Sequence, residues 1–283
     1  MCLVLLGWRA HPDLRLIIAA NRDEFYTRPT ESMRWWPERP GLLAGRDLGA
    51  PSGVPGTWLG LVPEAGRFAT VTNVRGPAEG RTDARSRGAL LMDYLSGSPA
   101  PEKFVRATAA DTDDYNGYNL LVSDLETLWW HSNRSGNTPL ELPPGLHGLS
   151  NAALLGSAGP GAASLEVRTD TGAAAWPKVR DGLRDLDAVL GSRDVNDYFD
   201  VLADRTIAPD TELPHTGLPW DRERSVSARF VADTWHGTRC STVLLVGEDG
   251  QFVIAERSFA ELGEPLGEVR FSGRVALDRA RED

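Results

Sequence analysis

Cysteine is scarce. The 283 residues contain two, Cys2 and Cys240, which excludes a disulfide framework and a cysteine-rich zinc site. No Cys-x-x-Cys-His run is present, so nothing points to covalent haem attachment. Histidine is scarce as well: His11, His131, His147, His215 and His236 are scattered, with no pair at metal-ligand spacing. No stretch reaches the ~18 apolar residues of a membrane span. A basic segment ahead of the apolar N-terminal run is missing, and acidic residues follow soon after it. The expectation is therefore a cytoplasmic chain without a signal peptide. Positive charge is not in excess. Lys plus Arg number 30 against 40 Asp plus Glu, a net charge of -10, which disfavours nucleic acid and anionic membranes as partners. Internal repeats and linkers are absent too, so residues 1–283 read as one domain.

The remainder is the composition of a globular protein: 41% hydrophobic and 8% aromatic, with nine Trp to fill a core or line a pocket. The first strand, Met1-Cys2-Leu3-Val4-Leu5-Leu6-Gly7-Trp8, begins with a cysteine directly after the initiator methionine. Methionine aminopeptidases remove Met1 ahead of a small residue. Cys2 would then carry a nucleophilic thiol and, on the same residue, an amine of pKa ~7.7–8.0 that can act as its base. The plainer alternative is a small hydrophobe buried at a chain end.

Residues 14–20 read as a second buried strand. With a turn at His11-Pro12-Asp13, the pair forms a hairpin. Asn21-Arg22-Asp23-Glu24 closes that second strand, and antiparallel pairing brings it back beside Cys2. Residues 27–56, rich in Pro, Gly, Trp and Arg, read as an irregular excursion. Residues 57–62 and 67–73 form the next hairpin. Helices are expected over 86–95, 101–110, 176–190 and 195–203. Further strands are expected over 117–123, 125–132, 145–151, 230–235, 240–246, 251–258 and 266–274. Residues 152–171 read as a loop, and 207–227 as Pro-rich and polar. Strands, a helical insert and strands again make one α+β domain with helices over stacked sheets.

Polar clusters recur at strand ends: 21–24, 72–75, 149–151 and 238–241. Together with Cys2 they make an amide-hydrolase kit, which needs a base, an oxyanion hole and a group to hold the base. Asn73 and Asn151 could donate to an oxyanion, and Asp23 could hold the α-ammonium. Arg22 or Arg239 could lower the thiol pKa by proximity. Taken singly, each of these residues could equally cap a turn or pair with a neighbour. Asn21, Glu24 and Arg75 belong to the same clusters as ligand contacts. His147, next to Ser150-Asn151, is the histidine best placed for site duty. Trp35-Trp36 could line an apolar pocket, and Ser86-Arg87-Gly88, opening a helix, could hold an anion.

Asn21-Arg22-Asp23-Glu24 after Met1-Cys2 and two strands resembles the NRDE family, the family of the transport and Golgi organisation protein 2. Other matches follow in order along nearly the whole chain: Gly56-Thr57-Trp58-Leu59-Gly60, Thr72-Asn73-Val74-Arg75, Ser86-Arg87-Gly88, Tyr118-Asn119-Leu120, His147-Gly148-Leu149-Ser150-Asn151, Trp176-Pro177-Lys178-Val179 and Gly237-Thr238-Arg239-Cys240-Ser241-Thr242. The resemblance implies a four-layer αββα sandwich like that of N-terminal-nucleophile (Ntn) hydrolases. It also implies a role in haem trafficking or in acyl-CoA and lipid handling. A more remote similarity is to the penicillin V acylase and bile salt hydrolase group. Carried over to this chain, their catalytic set is Cys2, Arg22, Asp23, Asn73, Asn151 and Arg239. Those enzymes space the first Arg and Asp further apart than Arg22-Asp23, which leaves Asn21 and Glu24 as alternatives to Asp23. Two functions are thus expected: cleavage of a non-peptide C–N amide by Cys2, with no cofactor required, or non-catalytic binding of haem or an acyl-CoA-like ligand in the same cleft.

Overall fold

The computed structural model describes residues 2–50, 53–75, 79–136, 138–152, 154–157, 164–167 and 176–277. Period-two alternation organises the centre. In β1 (Cys2–His11) and β2 (Leu14–Phe25), Val4, Leu6, Ile18 and Ala20 point one way, and Leu3, Leu5, Ile17 and Ala19 point the other. Both faces are apolar, so this hairpin is buried on both sides. Each such Leu or Ile taken fully out of water contributes about 1.5–3 kcal/mol.

Two antiparallel sheets result. The first has eight strands in the order β12-β11-β10-β1-β2-β13-β14-β15. Its further members are β10 (Gly145–Leu149), β11 (Leu154–Ser157), β12 (Ser164–Val167), β13 (His236–Gly247), β14 (Gln251–Phe259) and β15 (Pro265–Arg274). The second has seven strands in chain order, β3-β4-β5-β6-β7-β8-β9: β3 (Thr30–Trp35), β4 (Leu43–Asp47), β5 (Leu59–Val62), β6 (Arg67–Asn73), β7 (Tyr118–Ser123), β8 (Leu128–Ser132) and β9 (Leu140–Glu141). One apolar cluster, with Val4, Ile18, Leu59, Leu121 and Leu244, fills the space between the sheets.

The outer faces carry helices. Helix α1 (Arg87–Leu95) lies on β5 and β6, and α2 (Pro101–Ala109) on β7 and β8. Helix α3 (Pro177–Val189) lies on β1 and β10, and α4 (Val195–Leu202) on β2 and β13. Gly148 permits the close approach of α3, because a Cβ there would stand 2.8 Å from Val179 and 3.1 Å from Leu183. A short α5 (Trp220–Ser225) precedes β13. No helix among the described residues is long and apolar enough to cross a membrane.

Several sequence expectations are corrected here. Residues 27–56 are not irregular throughout, since they contain β3 and β4. In the edge strand β3 only Met33 is buried, so the alternation that betrays a strand is thin. Residues 152–171 contain β11 and β12 among their described members, each four residues long and too short to show a period in the sequence. Residues 230–235 form bends and an isolated bridge at Ala232 rather than a strand. The Pro-rich 207–227 segment holds α5, whose N-cap is Pro219.

Candidate functional site

The motif Asn21-Arg22-Asp23-Glu24 lies inside β2 rather than past its end. It pairs on one side with Cys2 and Leu3, and on the other with Gly237, Thr238, Cys240 and Ser241. Alternation then divides it. Arg22 and Glu24 face the second sheet, where Arg22 Nη2 meets Asp47 Oδ2 at 3.3 Å and Glu24 at 3.8 Å. Asn21 and Asp23 face the helices. Asn21 Nδ2 donates to the carbonyls of Leu202 and Arg229, and its Oδ1 accepts from Ser241. Asn21 therefore joins layers and does not face the cleft.

Cys2 sits directly across from Arg22 and is 8% exposed, on the wall of a cleft of about 380 Å³. Asp47 organises the floor. It accepts from Arg22, from Arg28 Nε at 2.9 Å and from the Gly49 amide. Arg81, Arg85 and Arg87, which precede or open α1, form the far side. Ser86 caps that helix by accepting from the Gly88 amide. Gly88 is needed for the close fit, because a Cβ there would stand 3.1 Å from the Thr57 carbonyl oxygen. The cleft is thus lined by several arginines against the carboxylates of Glu24 and Asp47, and it suits an anionic ligand.

Asn73, at the end of β6, also lines the cleft. Its carbonyl and its side-chain Oδ1 both accept from Asn151 Nδ2, at 2.9 and 2.8 Å. Asn73 therefore has its amide nitrogen left to offer the cleft. Asn151 uses its own nitrogen on Asn73 and acts as an orienting group. The segment that carries Asn151 is tied down in turn. Ser150 Oγ donates to the Cys2 carbonyl at 2.6 Å, and Thr72 and Asn119 donate to the Ser150 carbonyl.

Burial pushes the Cys2 thiol pKa up. Asp23 and Glu24 add to the rise, and the N-terminal ammonium and Arg22 only partly offset it. The low thiol pKa expected from neighbouring arginines is therefore reversed in the resting chain. Cys240, buried beside the Glu256 carboxyl, is raised well above the ordinary thiol value.

Other expected site residues lie elsewhere. Arg239, at the irregularity between Thr238 and Cys240, donates to the carbonyls of Phe25, Tyr26 and Arg28 and to Thr30 Oγ1. It holds the β2–β3 connection and, with Cys240, lines a small depression that adjoins the cleft at Arg22, Asp47 and Trp58. His147 is fully buried and its Nε2 bonds the Pro143 carbonyl, with its pKa lowered by burial. Trp35 and Trp36 edge a different surface hollow. Trp36 is anchored through Nε1 to the Ala44 carbonyl, and Trp35 packs edge-on to Phe271. Arg75 reaches Thr216 and Glu223 and lies 5.0 Å over Trp176.

The sequence reading gave no site role to Asp47, Arg28 or Lys178, and it placed Ser150 in a strand-end cluster without one. Asp47 and Arg28 stood in the stretch read as irregular. Lys178 stood in the motif Trp176-Pro177-Lys178-Val179, with no role assigned to its side chain. Its Nζ is buried, donates to the Val226 carbonyl at 3.1 Å and lies 4.0 Å from Asp23. Among the described residues no cluster of His, Cys, Asp and Glu could hold a metal ion.

The family model described as Transport and Golgi organisation 2 matches residues 1–261. A Bos taurus Transport and Golgi organization protein 2 homolog is 31% identical over 277 residues, covering 91% of this chain and 93% of the relative. The Homo sapiens homolog is 29% identical over 280 residues, covering 92% and 94%. Transport and Golgi organization protein 2 of Drosophila melanogaster is 24% identical over 286 residues, covering 95% of each. The chain belongs to the Transport and Golgi organisation 2 family.

Proposed function

We propose that this family member is an N-terminal-nucleophile amidohydrolase with an Ntn-hydrolase-like αββα architecture. In this reading Cys2, once Met1 is removed, cleaves a non-peptide C–N amide that carries a negative charge. One observation carries it: Cys2 opens onto a cleft walled by arginines, with the orientable amide of Asn73 beside it. The thiol proton passes to the α-amine as Sγ bonds the carbonyl carbon. Asn73 Nδ2 donates to the oxyanion. Collapse breaks the C–N bond, and the α-ammonium returns its proton to the departing amine. Water then hydrolyses the thioester, so amide and water become acid and amine and the thiol is regenerated. Asp23, bonded by Thr238 Oγ1 at 2.7 Å, holds the α-ammonium. A raised thiol pKa suits this scheme, since the amine takes the proton only as the bond forms.

A second reading is a carrier, in keeping with relatives named for transport. The arginine wall and the protonated resting thiol favour it. An acyl-CoA-like anion fits such a wall. Haem fits less well: its propionates could meet arginines, but among the described lining residues Cys2 is the only soft ligand and no His or Met faces the cleft.

The test is a panel of N-acyl amino acids, other acylated amides and penicillin V, assayed with Met1-processed wild type and Cys2→Ala. Turnover lost in Cys2→Ala, with ligand binding retained, supports the hydrolase. Turnover retained in Cys2→Ala refutes Cys2 as nucleophile. No turnover by wild type, with anion binding weakened by Arg87→Ala, favours the carrier.

A further inference from the structure

A second cluster of charge lies behind Cys2, on the helix-facing side of β2. Asp23 comes from β2, Lys178 from the first turn of α3, Arg75 from the chain just past β6, Glu223 from α5, and Thr238 and His236 from β13. Asp23 and Lys178 are 1% and 4% exposed, and Glu223 is 2% exposed. A lysine in this place is doubly disfavoured. It is buried, and the N-terminal end of a helix repels a cation. Two cations also crowd one indole, with Arg75 5.0 Å and Lys178 5.6 Å over Trp176.

The carboxylates are already shared out. Glu223 pairs with Arg75 at 3.5 Å and accepts from the amide and the hydroxyl of Thr216. Asp47 takes Arg22 and Arg28. Lys178 has Asp23 as its carboxylate, at 4.0 Å. The register Cys2↔Arg22 sets Asp23 one residue past the Cys2 end of β1, on the side from which a freed α-amine of Cys2 projects. One carboxylate then faces two ammonium groups.

We propose that Lys178 is a positioning residue of the Cys2 site: it shares Asp23 with the amine that removal of Met1 frees on Cys2, and its like charge keeps that amine a neutral base. The inference rests on the hydrolase reading for its purpose but not for its test. Like charges around one carboxylate cannot all stay protonated, so one proton is lost near neutrality. The surroundings of Lys178 agree: burial above all, with Arg75 also opposing its charge and Asp23 favouring it, brings its pKa down to about 8. His236, in the same cluster, is held neutral by burial and by the neighbouring cations.

The chain makes the measurement simple, because it has two cysteines and two lysines, Lys103 and Lys178. Chain labelled with 13C at cysteine Cα and lysine Cε gives two signals of each kind. In the processed wild type, the Cys2 Cα and Lys178 Cε signals are expected to titrate together. In Lys178→Met the Cys2 amine midpoint should rise by about one pH unit, a tenfold change in the free-base fraction on the acid side. Lys178→Arg should leave it near wild type, and the acid limb of kcat/KM should follow the amine in each variant. A Cys2 midpoint unmoved in folded Lys178→Met overturns the proposal. Should that variant not fold, the comparison is between Met1-retaining and processed wild type. A Lys178 midpoint identical in the two overturns the proposal, and a shifted one supports it. If no amide is cleaved but the midpoints shift as stated, the hydrolase reading fails and the shared carboxylate stands.

Discussion

Replacing Arg239 with Met tests whether this strand-end arginine serves the fold or the chemistry. Its guanidinium makes four hydrogen bonds, three from Nη1 to the carbonyls of Phe25, Tyr26 and Arg28 and one from Nη2 to Thr30 Oγ1. It also lies 5.6 Å over the Tyr26 ring. The loop is partly wet, so freed carbonyls recover water and each bond counts for about 0.5–1 kcal/mol net. The loss is then about 2–4 kcal/mol. Unfolding entropy of about 2.1 cal/mol/K per residue over 283 residues gives roughly 0.6 kcal/mol/K. Arg239→Met should therefore lower Tm by about 3–7 °C, read by calorimetry or near-UV circular dichroism. Ligand affinity should weaken as well, because Arg28 and Glu24 sit at the ends of the loosened loop. Cys2 chemistry should survive. An unchanged Tm with turnover lost a hundredfold or more would refute this reasoning and return Arg239 to the reaction centre.

Iodoacetamide should label Cys2 faster than Cys240, because Cys240 is raised well above the ordinary thiol value by burial and by Glu256. Both rates should be low at neutral pH and climb on alkalinisation, since burial raises Cys2 too; peptide mass mapping across pH reads this, and fast neutral labelling of Cys2 would contradict it. His236 holds off its proton until about pH 3 in the fold, chiefly through burial, against 6.5 for the ordinary group. Its contribution is thus present above pH 6.5 and lost as pH falls toward 3, by up to about 1.4 kcal/mol per pH unit. Urea midpoints between pH 7 and pH 4 should fall less steeply in His236→Gln than in wild type, and identical slopes would contradict the assignment.

The apolar alternation of residues 3–8 and 14–20 by itself determined a buried hairpin, because a period-two run apolar on both faces has nowhere to sit but between two layers. Helices α1 to α4 were legible from capping residues and from apolar positions such as Leu183 and Leu186 at helical spacing. The Asn-Arg-Asp-Glu run, the penultimate cysteine and the ordered motifs pointed to the family on their own. Strands β3 and β4 were not legible, since the edge strand β3 buries only Met33 and the short β4 buries Leu43, Ala44 and Gly45 in a run, so neither shows alternation.

Which polar residues meet is another matter, and only the tertiary structure decided it. Side chains along a strand alternate between two faces, so four adjacent residues cannot share one site. Arg22 and Glu24 turn to the cleft, while Asn21 goes to the helices and Asp23 to the Lys178 cluster. Arg239, next to Cys240 in sequence, turns away to clamp backbone carbonyls. Asn151 reaches Asn73 across 78 residues of chain, and Lys178 reaches Asp23 across a far longer separation. A sequence read alone specifies residue types and periods. The pairing of one strand end with a helix from another part of the chain follows from how the layers stack.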